Sequence, residues 1–221
     1  GDGDLDLFVG GRVVPGKYGS RPRSLLMMNE GGKFGAGQVW NEMGMVSGAV
    51  LSDLDSDGFP ELIVACEWGG IRVFQNDQGQ FREVTREVGL SGYLGWWNGV
   101  TTGDLNGDGR LEIIATNWGF NSRYRAGRGE PLGLAVGDLD GNGVWEVVES
   151  FTEPGSDRVL PIRGFKAMSG AVPLSGGTGG QLQGIWAANI GGDIRRTHRA
   201  GRNPGSKHAA DLSVYESGRQ V

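Results

Sequence analysis

"GDLNGDGRLEIIAT", residues 103–116, alternates oxygen-bearing side chains with glycine and then turns abruptly apolar. Two other stretches share its grammar: "SDLDSDGFPELIVA" at 52–65 and "GDLDGNGVWEVVES" at 137–150. The chain opens with "GDGDLDLFVGG", the second half of such a stretch. A short apolar segment leads into each acidic loop ("GAVLSDL", "GVTTGDL", "GLAVGDL"), and another leaves it ("ELIVACEW", "LEIIATNW", "WEVVESF"). Runs this short, rich in β-branched residues and bounded by Gly or Asp, read as paired strands. Two repeats add a second hairpin, because "RSLLMMNEGGKFGAG" and "IRVFQNDQGQFREVT" set Asn, an acidic residue and Gly between two runs. One unit is therefore four antiparallel strands, with the acidic loop joining the first two.

The complete loops start at residues 53, 104 and 138. A period of about fifty residues with four strands each is the signature of a β-propeller blade. The expected fold is all-β, a partial propeller of three to four blades over 1–165: 1–46 (truncated), 47–92, 93–131 and 132–165. The shorter last spacing removes or shortens the outer hairpin of the third unit, leaving the polar stretch "GFNSRYRAGRGEP" at 119–131. Residues 166–221 are expected to form a short helical or irregular segment and a tail poorly ordered from about residue 175, where neither strand nor helix periodicity is found.

The 43 glycines among 221 residues follow no G-X-Y period, which excludes collagen, and seven Trp with 38% hydrophobic residues exclude a disordered linker. The net charge is −5, yet the chain from residue 175 onward holds six Lys/Arg against three Asp/Glu, so the body carries −8. Such a body disfavours nucleic acid as a partner. No stretch is long and apolar enough for membrane insertion. Cys66, inside "ELIVAC", has no second cysteine to pair with and reads as a buried strand thiol.

In the complete loops, side-chain oxygens recur at the first, third, fifth and ninth places. They are Asp53, Asp55, Asp57 and Glu61; Asp104, Asn106, Asp108 and Glu112; Asp138, Asp140, Asn142 and Glu146. The sixth place is always glycine (Gly58, Gly109, Gly143), which permits a sharp turn. Packed carboxylates repel unless a cation lies among them. A hard ion such as Ca²⁺ takes 6–8 oxygens and mixes carboxylates with backbone carbonyls. The carbonyls here would come from the seventh places, Phe59, Arg110 and Val144, whose side chains have nothing in common. Mg²⁺ prefers a smaller, wetter shell, and Zn²⁺ wants His or Cys, which the loops lack. The third loop also fits an EF-hand, with Glu149 in the twelfth place, but strands flank it; Glu149 reads as an outward strand residue and Glu146 as the ligand.

These units resemble the FG-GAP or VCBS repeats of integrin-α-like β-propellers, whose blades hold Ca²⁺ in a D-x-[DN]-x-[DN]-G-x-x-D loop between their first two strands. The likeness covers residues 1–165, and the complete loops depart from it by ending in Glu. It implies a secreted, periplasmic or cell-surface protein serving adhesion or carbohydrate-related binding, with the remaining blades of the parent chain as partners. Carried onto the half loop, it makes Asp2 and Asp6 ligands and lends the carbonyl of Asp4, a site expected to be weak or empty. Relatives continue after the last blade with an amphipathic segment. Codons for 181–194 exist whose next frame spells such a segment, so the tail reads as a frameshift product.

No catalytic constellation stands out, and the expectation is a binding or structural module rather than an enzyme. His198 and His208 both lie in the tail. Trp68 and Trp118 follow the second strand of their units, and Trp96 and Trp97 precede the first strand of the third, all at the end opposite the acidic loops. With Asn117, Arg123, Tyr124 and Arg125 they either hold a protein or carbohydrate ligand or fill gaps between blades. The alternative is a propeller belonging to a carbohydrate-active exported enzyme, with Glu67 and Glu130 as its acid/base candidates.

Overall fold

The computed structural model describes residues 3–118, 124, 132–139, 141–153, 155, 159–163 and 213–217. Among them every regular element is a strand, and no helix is long and apolar enough to cross a membrane. The chain divides into two compact units, one holding Gly1–Val14 and Ser20–Arg123 and the other Pro15–Gly19 and Tyr124–Gly218.

The first unit contains three antiparallel sheets. One is β1 (Leu7–Val9), β2 (Ser24–Glu30) and β3 (Lys33–Trp40), in that order. The next is a complete blade in the order β4 (Met45–Ser52), β5 (Glu61–Glu67), β6 (Gly69–Asp77), β7 (Gln80–Glu83). A short strand that the sequence did not announce, β8 (Leu94–Gly95), pairs with β6. The third sheet pairs β9 (Trp97–Gly103) with β10 (Glu112–Asn117).

β5 explains how these sheets pack. All seven of its residues are buried, because the sheet is covered on both faces, and such a strand reads as one continuous apolar run. Successive side chains point to opposite faces. Leu62, Val64 and Cys66 join Met43, Val46 and Phe74 beneath Phe8 and Trp40 of the preceding sheet. Ile63 and Ala65 join Ile71, Val73 and Trp97 on the other face, against Val100 and Ile113 of the following sheet. Trp40 is the hub of the first face, meeting Phe8, Phe74 and Phe81 edge to face with centroids 5.7–6.1 Å apart. Cys66 is a buried free thiol whose pKa burial pushes up to about 12.

The first strands of consecutive blades approach backbone to backbone. A Cβ on Gly48 of β4 would stand 2.9 Å from Gly99 Cα of β9. Ser47 Oγ donates to Trp97 O at 2.6 Å, and the Ser52 and Thr102 hydroxyls meet at 2.8 Å.

In the second unit, β11 (Leu132–Gly137), β12 (Glu146–Thr152) and β13 (Val159–Pro161) form an antiparallel sheet with β14 (Ser213–Ser217) on the far edge of β11. β14 corrects one expectation: part of the tail is a strand, paired with β11 over Leu132–Val136. The rest of 164–221, with the frameshift reading and both histidines, lies outside the described residues, as do most of 119–131 and Glu130.

Candidate metal loops

Each acidic loop joins the first two strands of its sheet: 53–60 between β4 and β5, 104–111 between β9 and β10, 138–145 between β11 and β12. Three bonds recur in all of them. The N–H of the second place donates to Oε2 of the closing glutamate: Leu54 to Glu61 (2.8 Å), Leu105 to Glu112 (2.8 Å), Leu139 to Glu146 (2.7 Å). The sixth-place glycine N–H donates to Oδ2 of the first aspartate: Gly58 to Asp53 (3.1 Å), Gly109 to Asp104 (2.9 Å), Gly143 to Asp138 (3.0 Å). The seventh-place N–H donates to the fifth-place side chain: Phe59 to Asp57, Arg110 to Asp108, Val144 to Asn142, at 2.7–2.8 Å. Asx side chains that hold the backbone ahead of them make such turns from local sequence alone.

The backbone has a second requirement that the sequence reading missed. The sixth-place glycines lie at φ +84 to +88°, and the fourth places are left-handed as well, at Gly107 (+77°), Gly141 (+78°) and Ser56 (+62°). Two of three fourth places are glycine, and this was the legible signal. Ser56 holds the same geometry with a Cβ that disfavours it.

The loops differ in how their carboxylates are satisfied. Asp53, Asp55 and Glu61 bring ligand oxygens within 4.8 Å of one another. Glu61 is only 4% exposed, and its Oε1 has no hydrogen-bond partner. Burial raises its pKa, the Leu54 N–H lowers it and the neighbouring Asp55 charge raises it again. In the third loop Asp138 Oδ1 is likewise buried and unpartnered. Asp140 lies outside the described residues. In the second loop the Asn106 amide donates to Glu112 Oε1 and to Asp108 Oδ2, both at 3.2 Å. Asp104 there is held below the usual carboxylate range by the N–H of Gly109 and those of Gly107 and Asp108.

The half loop is laced to the neighbouring turn. Asp6 Oδ1 accepts the Asn29 N–H at 2.9 Å and Asp4 Oδ2 the Gly31 N–H at 2.8 Å, so both carboxylates serve the β2–β3 turn. Asp2 lies outside the described residues. Glu149 is half-buried and accepts the Tyr124 hydroxyl at 2.5 Å, so it is not simply an outward strand residue.

At the other end of β5 the tryptophans divide. Trp68 (1% exposed) and Trp97 (7%) are core residues with no face left for a ligand. Trp96 stacks on Trp118 with centroids 4.3 Å apart, and Trp118 is exposed. Glu67 is buried beside them; its Oε1 accepts from Trp96 Nε1 (2.9 Å) and Arg12 Nη2 (2.6 Å). Arg123 and Arg125 lie outside the described residues.

Residues 53–115 match the family model described as an FG-GAP-like repeat. The matched stretch runs from the first aspartate of one loop through the whole of the next and into β10. Over that stretch the chain is similar to an FG-GAP-like repeat, and the described elements are all strands, in antiparallel sheets of the propeller-like kind. No curated protein and no solved structure matches it.

Proposed function

We propose that this FG-GAP-like chain is a calcium-binding repeat module whose loops take up Ca²⁺ to hold their strands, and that it serves binding or scaffolding rather than chemistry. The observation that carries the reading is the pair of buried, unpartnered carboxylate oxygens, Glu61 Oε1 and Asp138 Oδ1. Both occupy ligand places of the loops, and buried polar atoms without partners are uncommon enough to need a cause. A divalent cation supplies one.

The donor chemistry fits. The side-chain donors are all oxygens, the preference of a hard ion. Oxygens within 4.8 Å of one another can share one calcium, whose bonds of about 2.4 Å span that separation. Asp53, Asp55, Asp57 and Glu61 would hold the ion in the first loop, with the Phe59 carbonyl. The corresponding places are Asp104, Asn106, Asp108, Glu112 and the Arg110 carbonyl in the second loop, and Asp138, Asp140, Asn142, Glu146 and the Val144 carbonyl in the third. Bound there, the ion supplies charge neutralisation and a cross-link between consecutive strands. The family likeness and the millimolar calcium outside cells support an exported location. Ligand recognition belongs to the exposed Trp118 face stacked on Trp96. Glu67, engaged by Arg12 and Trp96, does not present a free acid or base there.

Thermal unfolding with calcium and with EGTA tests the reading. A site at a hundred times its Kd adds about 2.7 kcal/mol, so calcium is expected to raise Tm by about 5–10 °C. Asp53→Ala should remove part of that rise. An unchanged Tm on chelation would end the calcium reading.

A further inference from the structure

We propose that Asn76, in the turn between β6 and β7, is a positioning residue that aims the closing carboxylate of the 53–61 loop and makes it the tighter of the two calcium sites in the first unit; this rests on the calcium reading above. Asn76 lies outside the loop and offers no ligand atom to it. Its side-chain oxygen accepts the Gly79 N–H at 2.7 Å, which closes the turn. Its amide nitrogen is then free to donate elsewhere, and it donates to Pro60 O at 3.0 Å. Pro60 immediately precedes Glu61 and has its φ fixed by its ring. Holding the Pro60 carbonyl therefore fixes the direction in which the chain enters Glu61.

The same lacing occurs one sheet earlier with different neighbours. Gly32 N–H donates to Asn29 Oδ1 (2.8 Å), Asn29 Nδ2 donates to Leu5 O (3.1 Å), and Asn29 N–H donates to Asp6 Oδ1 (2.9 Å). Leu5 and Asp6 stand where Pro60 and Glu61 stand. A device that recurs around different residues belongs to the repeat and is not an accident of one turn.

The 104–112 loop lacks this support among the described residues, where no strand pairs with the far edge of β10. Its closing carboxylate takes a different partner, since Glu112 Oε1 accepts the loop's own Asn106 amide. That bond must break before Glu112 can offer both oxygens to an ion. Glu61 Oε1, held from behind, has no such bond to break. Calcium should accordingly fill the 53–61 loop first.

The experiment is a titration of the whole chain with calcium chloride, followed through the backbone amide resonances of Gly58 and Gly109, one reporter per loop. Wild-type Gly58 should respond at lower calcium than Gly109. Asn76→Ala should weaken the Gly58 response about tenfold, the usual scale for a residue that orients a ligand, and leave Gly109 in place. Asn76→Ser keeps a short acceptor for the turn but cannot reach Pro60 O, so it tests the clamp even if the alanine variant folds poorly. Asn29→Ala removes the equivalent bonds beside the half loop and should move neither resonance. Unaltered Gly58 affinity in Asn76→Ser, or equal weakening of both loops, overturns this inference while sparing the calcium reading. Absence of any calcium response at wild-type Gly58 and Gly109 overturns both.

Discussion

Glu61→Gln should change the sign of its effect on stability with the buffer. Glutamine keeps the shape of the side chain and an acceptor for the Leu54 N–H, now 2.8 Å from Glu61 Oε2. It removes one charge from a cluster shared with Asp53 and Asp55 and supplies amide donors to them. A buried acceptor without a partner costs about 1–3 kcal/mol, and relieving the lower end of that range raises Tm by about 2–4 °C in EGTA. In calcium the substitution removes a charged ligand. If affinity falls about a hundredfold, a site that contributed about 2.7 kcal/mol at a hundred times its Kd keeps about 0.4. The variant then melts about 3–5 °C below wild type, after the gain at the orphaned oxygen is counted. Circular dichroism melts of both proteins in both buffers decide it, and a shift of the same sign in calcium and EGTA would refute the reasoning. The pH dependence has a defined sign as well. The Glu61 pKa is raised by burial, so its contribution is fully present below the unfolded-state pKa and is lost as pH rises through the folded value. In EGTA, mild acidification should therefore narrow the gap between wild type and Glu61→Gln.

Two further outcomes follow from the backbone. Ser56→Gly removes a Cβ from a left-handed position (φ +62°) that the sister loops give to glycine, and should raise Tm in EGTA by about 1–3 °C, net of the extra freedom of the unfolded chain. Gly48→Ala would drive a methyl to 2.9 Å from Gly99 Cα, backbone that has little room to retreat. It should cost about 1–3 kcal/mol in urea unfolding, and a smaller loss would mean that β4 and β9 separate more easily than their contact suggests.

Much of the architecture was legible because its signals are local. The switch from Asp/Asn/Gly to β-branched residues marks where each loop ends, and "QNDQG" and "MNEGG" announce hairpins with turns at Asp77–Gln80 and Glu30–Lys33. The recurring oxygen-bearing places of the loops were legible from their spacing. What escaped needed partners distant in the chain. Nothing around Trp68 distinguishes it from Trp118, yet one is buried and the other exposed, although Trp96 touches both. Nothing in the sequence around Asp4 and Asp6 announces the β2–β3 turn that comes alongside and donates to both. The Asn76–Pro60 bond joins residues 16 apart that meet only after β5 and β6 have paired. The left-handed fourth place was hidden by Ser56, the one exception to glycine there.

The first aspartate of each loop has its Oδ2 on the sixth-place glycine N–H, and in the 104–112 loop both of its oxygens accept from the chain. Amide dipoles thereby stand in, weakly, for a cation. On the calcium reading proposed above, a bend built this way should loosen rather than spring open when its ion is removed.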